Sequence, residues 1–86
     1  MTRVILDKKD LDELELVRKR ITINPQVCGG KPVIRGTRIT VEFILELLSS
    51  GMTPEEIAQE YGISKEDVIA AIMYAKFLVR GIEVIT

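Results

Sequence analysis

The stretch Thr53–Phe77, TPEEIAQEYGISKEDVIAAIMYAKF, decides how this chain folds. Thr53-Pro54-Glu55-Glu56 combines a hydroxyl that caps a helix, a proline whose fixed φ suits the first helical position, and a glutamate that reaches back to the cap nitrogen. A helix starts there. It ends at Tyr61-Gly62, where glycine tolerates the left-handed backbone that closes a helix, and Ser64 with Asp67 three residues on repeats the capping signature. The spacing predicts a following helix from Ser64 to about Arg80. Two short helices cross steeply when the first presents a small residue at the crossing and the turn holds a glycine. Ala58 and Gly62 meet both conditions, and Ile57, Tyr61, Ile63, Val68, Ala71 and Ile72 fall where a shared core is needed. The stretch reads as a helix-turn-helix.

Upstream, Thr40 is placed to cap a third helix whose apolar face is Phe43, Ile44, Leu47 and Leu48, with Gly51 at its end. Before it, Val33-Ile34 and Thr37-Arg38-Ile39 flank Gly36, a pattern for a tight hairpin with a basic tip, expected to stand out as a small wing. Cys28-Gly29-Gly30-Lys31-Pro32 reads as loop, with Gly30, Gly36 and Gly62 as structural turn residues. Ile21-Thr22-Ile23 reads as a strand ending in an Asn24-Pro25 turn. Asp7–Arg20, with Leu11, Leu14, Val17 and Ile21 at helical spacing, early acids and late bases, reads as a helix. The expected fold is mainly α: a three-helix helix-turn-helix domain over residues 21–80, preceded by a short β-hairpin. Residues 1–20 form an N-terminal helical extension, and residues 81–86 a tail expected as a strand.

A chain of 86 residues, 47% hydrophobic and 29% charged, supports one small domain with little stability to spare, so a homodimer is expected. Cys28 is the only cysteine, which excludes an internal disulfide and fits a reducing compartment. The longest apolar run, Val68 to Ala75, is too short to span a bilayer, and acids arrive too early for a signal peptide; a cytoplasmic protein without membrane contact is expected. Charge is unevenly distributed. Residues 16–41 hold Arg18, Lys19, Arg20, Lys31, Arg35 and Arg38 with no acid, whereas residues 1–15 carry a net charge of −2 and residues 42–86 a net charge of −5. That +6 block is the electrostatic footprint for a polyanion.

The candidate DNA contacts are Lys31, Arg35, Arg38, Ser64 and Lys65. An objection comes from the second helix of the unit, which opens with Lys65 but continues with Glu66 and Asp67, acids that phosphate repels; its next outward positions are read as Ile69, Ala70 and Met73. That face fits a protein contact, and the basic hairpin is the better DNA candidate. With Val68, Ala71, Ile72, Ala75 and Val79 assigned to the core stripe, Ile69, Met73, Tyr74 and Phe77 are left as a candidate dimer interface.

Other chemistry finds no residues. Gly29-Gly30-Lys31 suggests a phosphate loop, but Pro32 stands where the hydroxyl residue and helix start belong. The acids Asp7, Asp10, Asp12, Glu13 and Glu15 spread around a helix as a solvated face rather than converging on a metal. Cys28 and the three serines have no histidine in the chain to activate them. No catalytic residues, metal or cofactor are expected, and the chain reads as a binding protein, not an enzyme.

From Ile21 to about Val79 the sequence resembles the prokaryotic domain-of-unknown-function family 433. The resemblance is carried by Asn24-Pro25, by Cys28-Gly29-Gly30-Lys31-Pro32-Val33-Ile34-Arg35-Gly36-Thr37-Arg38-Ile39 and by Gly51-Met52-Thr53-Pro54-Glu55-Glu56-Ile57. It departs from the family pattern at Tyr61-Gly62-Ile63-Ser64, where the link is shorter. The resemblance implies a homeodomain-like helical domain and an antitoxin of a type II toxin-antitoxin module whose partner is a PIN-like RNase toxin. The function expected is therefore an antitoxin-type regulator that binds operator DNA and neutralises that toxin. The alternative is an interaction adaptor of helix-turn-helix shape that never touches DNA.

Overall fold

Reciprocal capping boxes begin three of the four helices in the computed structural model, which describes residues 5–84. Helix α1 (Lys8–Arg20) is boxed by Asp7 and Asp10, α3 (Pro54–Tyr61) by Thr53 and Glu56, and α4 (Lys65–Val79) by Ser64 and Asp67. Helix α2 (Val41–Ser49) has the Thr40 hydroxyl accepting from the Phe43 amide at 3.0 Å. Gly62 closes α3 with φ +67°, and only a residue without Cβ adopts that conformation without strain. Among the described residues no helix is long and apolar enough to cross a membrane.

Strand β1 (Ile21–Thr22) pairs antiparallel with β2 (Val33–Ile34), Ile21 opposite Ile34 and Thr22 opposite Val33. The hairpin is present: Val33 bridges to Thr40, Ile34 donates its amide to the Ile39 carbonyl at 2.9 Å, and the Thr37 hydroxyl donates to the Ile34 carbonyl at 2.8 Å. It does not stand out as a wing, however. β1 pairs with its first strand, and Val33 and Ile34 are both buried. The Cys28 thiol donates to the Arg38 carbonyl at 3.4 Å and ties the preceding loop to the hairpin.

Helix α4 is the centre of the molecule and packs against α1, α2 and α3. Its fully covered residues are Val68, Ala70, Ala71, Tyr74 and Phe77, with the two alanines allowing close approach of its neighbours. This corrects the predicted stripe. Ile72 is 38% and Val79 88% exposed, whereas Tyr74 and Phe77, predicted for a dimer interface, lie in the core of a single chain, and Ala70 is buried too. Tyr74 faces α2, and Phe77 faces α1, which runs antiparallel along α4. Arg80 donates to Asp10 at 3.0 Å, Lys76 to Glu13, and Arg20 to Asp67 at 3.1 Å. Phe77 is covered beneath that packing, with Lys76 Nζ 4.8 Å and Arg80 Cζ 5.5 Å from its ring centroid. Asp10 and Glu13 are thus mostly covered ion-pair partners, not members of a solvated face.

After α4, Gly81 takes φ +81° and Ile82 donates its amide back to the Phe77 carbonyl at 2.9 Å, a glycine-based stop. Ile82–Val84 form no strand; the chain turns Val84 into the core instead. Residues 85–86 of the predicted tail strand lie outside the described residues.

Candidate nucleic-acid interface

The six cations of the basic segment separate in space once the chain folds. Lys31 pairs with Glu42 at 3.0 Å beside α2, and Arg38 is exposed on the hairpin with no side-chain partner among the described residues. Arg18 likewise meets no acid there. Lys19, Arg20 and Arg35 converge: together with Leu16 and Asp67 they line a cleft of about 510 Å³ where the end of α1, the hairpin tip and the start of α4 meet.

Local structure explains each placement. The last turn of a helix leaves carbonyls without partners, and Arg35 supplies donors to them from across the hairpin. Its Nε donates to the Lys19 carbonyl at 3.0 Å, and one terminal nitrogen donates to the Arg18 and Ile21 carbonyls at 2.9 and 3.3 Å. The Arg35 amide also donates to the Arg20 carbonyl at 2.8 Å. Gly36, at φ +80°, turns the hairpin tightly enough for this return. Arg20 uses one terminal nitrogen, donating to Ser64 Oγ at 2.9 Å and to Asp67 Oδ1 at 3.1 Å. The other terminal nitrogen of each guanidinium makes no hydrogen bond among the described residues. Lys19, exposed, reaches Glu15 at 3.4 Å and no other acid among the described residues.

Three cations against Asp67 and the Glu15 beside Lys19 leave this cleft with a net positive charge, and its free N–H donors suit phosphate oxygens. The start of α4 offers much less. The Ser64 hydroxyl accepts from both the Asp67 amide and Arg20, and Lys65 donates to Glu55 across 2.8 Å. That hydrogen bond raises the Lys65 pKa and lowers that of Glu55, so the exposed pair answers its own charges. Glu66 remains exposed.

Of the sequence-predicted contacts, Arg35 lines the cleft and Ser64 borders it through Arg20, while Lys31 and Lys65 are paired elsewhere and Arg38 stands apart. Lys19 and Arg20 were legible only as part of the basic block; consecutive bases ending a helix were the available signal. Among the described residues no group of three His, Cys, Asp or Glu side chains could hold a metal ion. Of the predicted interface set, Ile69 and Met73 are half-buried, with Met73 packed on the core.

The profile of the family described as "Protein of unknown function (DUF433)" matches residues 21–75. A crystal structure of a DUF433 member protein from Anabaena variabilis is similar with a TM-score of 0.67 and 30% identity, covering 88% of this chain and 80% of that one. An uncharacterized protein of Sinorhizobium fredii is 31% identical over 67 residues, 77% of this chain and 30% of the relative. An uncharacterized protein of Mycobacterium tuberculosis is 34% identical over 56 residues, 65% of this chain and 24% of the relative. The chain thus spans less than a third of the length of the curated relatives it matches.

Proposed function

Because the chain belongs to the DUF433 family, we propose that it is a non-enzymatic, antitoxin-type regulator: it holds operator DNA in the basic cleft and binds a PIN-like RNase toxin with another surface. The observation that carries the DNA half is the convergence of Lys19, Arg20 and Arg35 on one cleft at the edge of the helix-turn-helix. Phosphate contacts of this kind set register on a duplex without reading its sequence. The toxin half is supported by the family resemblance. An adaptor that never meets DNA is the second reading, favoured by the internal pairing of Ser64, Lys65 and Asp67 at the start of α4.

The test is fluorescence anisotropy with duplex DNA from upstream of its own gene across a salt series. Lys19→Ala with Arg38→Ala weakens binding on every sequence and lowers the slope of log K against log salt by about one per lost phosphate contact. A wild type with no salt-dependent affinity establishes the adaptor reading instead.

A further inference from the structure

Asp67 is an acid in a cleft that suits anions, and its two carboxylate oxygens serve different groups. Oδ2 accepts from the Ser64 amide at 3.0 Å and completes the capping box of α4. Oδ1 accepts from one terminal nitrogen of Arg20 at 3.1 Å, and that same nitrogen donates to Ser64 Oγ at 2.9 Å. The cap needs only the first oxygen. The second serves a guanidinium that arrives from the end of α1, and the Asp67 side chain there is only 16% exposed.

This grip decides which donors Arg20 presents. With Nη1 held, its Nε and other terminal nitrogen are without partners among the described residues. They are adjoining N–H groups on one edge of the plane, a fork that matches two oxygens of a phosphate. Arg35 is fixed in the complementary way, with Nε and one terminal nitrogen bonded to the carbonyls of Lys19, Arg18 and Ile21 and the other terminal nitrogen left over. Both guanidiniums are therefore oriented before a ligand arrives, although arginine otherwise loses much rotamer freedom on binding. The Asp67 carboxylate also acts in the opposite sense, because its charge repels a phosphate in the same cleft.

We propose that Asp67 is the positioning residue of this cleft: it holds Arg20 with its free edge ready for a pair of phosphate oxygens, and the gain in orientation outweighs the repulsion. The assignment rests on the reading that the cleft takes phosphate. The group recognised is a tetrahedral phosphate, which DNA supplies as a diester and solution supplies as the free ion, so both serve as probes.

The test uses the sign of a charge change. Asp67→Asn removes a negative charge, so attraction alone predicts tighter binding of an anion, whereas positioning predicts weaker binding. By anisotropy, Asp67→Asn binds duplex DNA from upstream of the gene about fivefold more weakly, with the salt slope unchanged because the same phosphates are contacted. In an Arg20→Ala background no guanidinium is left to hold, and Asp67→Asn tightens binding by about twofold as the repulsion goes. Weakening by one factor in both backgrounds assigns Asp67 to the helix cap alone; that result, or tighter binding by Asp67→Asn with Arg20 present, overturns the assignment. A measurement on wild type covers the case of variants that fold poorly: the Arg20 Nε–Hε group is ordered before ligand is added, and low order there also overturns it. Inorganic phosphate, titrated against the Nε–Hε shifts of Arg20 and Arg35, separates this from the functional reading. Free phosphate that prefers wild type to Asp67→Asn, beside DNA that does not bind, removes the operator but keeps Asp67 in its role. DNA bound equally by wild type and Asp67→Asn keeps the operator and removes that role. A wild type that binds neither probe overturns both.

Discussion

Arg20 and Asp67, 47 positions apart in the chain, meet at 3.1 Å, and the same guanidinium nitrogen reaches Ser64 Oγ at 2.9 Å. The C-terminus of α1 is thereby fastened to the capping box that begins α4. Arg20→Ala lowers the unfolding free energy by about 1–2 kcal/mol, the range for a charge-assisted hydrogen bond of a part-buried group. Asp67→Ala costs more, because it also removes the cap. In a urea-denaturation double-mutant cycle the two changes together cost less than their separate effects combined; strict additivity means that the pair is not coupled.

Arg35 serves structure and charge at once, and the two roles separate by substitution. Arg35→Lys keeps the cation but cannot span the carbonyls of Arg18, Lys19 and Ile21, so stability falls by about 1 kcal/mol while the salt slope of DNA binding holds. Arg35→Ala loses stability similarly and lowers the slope by about one as well. A slope untouched by Arg35→Ala removes this residue from the phosphate contacts.

Acid weakens the α1–α4 packing in a defined direction. The hydrogen bond from Arg80, with a backbone bond at Asp7 and the nearby positive charge, holds the Asp10 carboxyl below its ordinary value of 3.8. A depressed folded pKa contributes stability that is present above the unfolded value and is lost as pH falls through the folded one. Wild type is therefore more stable than Asp10→Asn at pH 6, and the difference closes as pH falls below the ordinary value of 3.8 and through the depressed folded one. Thermal melts of both proteins across that range measure it. A gap that persists at low pH locates the contribution in the helix cap rather than in the charge.

Phe77 and Val79, two positions apart on α4, differ in exposure from 0% to 88%. Phe77→Ala is expected to cost about 3–5 kcal/mol by opening a cavity beneath α1. Val79→Ala changes stability by no more than about 0.5 kcal/mol. Denaturant midpoints at equal m-values decide between this arrangement and the predicted one, in which Val79 belonged to the core.

Local chemistry was legible without coordinates. Thr53 with Glu56, Ser64 with Asp67, Thr40, Gly36 and Gly62 determine where helices begin and turns close, because caps and left-handed turns are settled within four or five residues. The resemblance around Gly30–Ile39 likewise needed no structure. What the sequence could not determine was which side of α4 faces inward. Its apolar residues occupy nearly the whole circumference, so periodicity alone allows several orientations, and the choice fell to α1. Asp10, Glu13 and Arg20 draw α1 along α4 beside Phe77, while Tyr74 turns toward α2 and Ile72 and Val79 stay outside. The candidate cleft was hidden for the same reason. Lys19 and Arg20 stand 15 or more positions from Arg35, and no local rule predicts that a hairpin arginine will supply donors to the free carbonyls of a helix end. Only tertiary structure decides that, because the carbonyls need donors and the nearest ones come from a distant part of the chain.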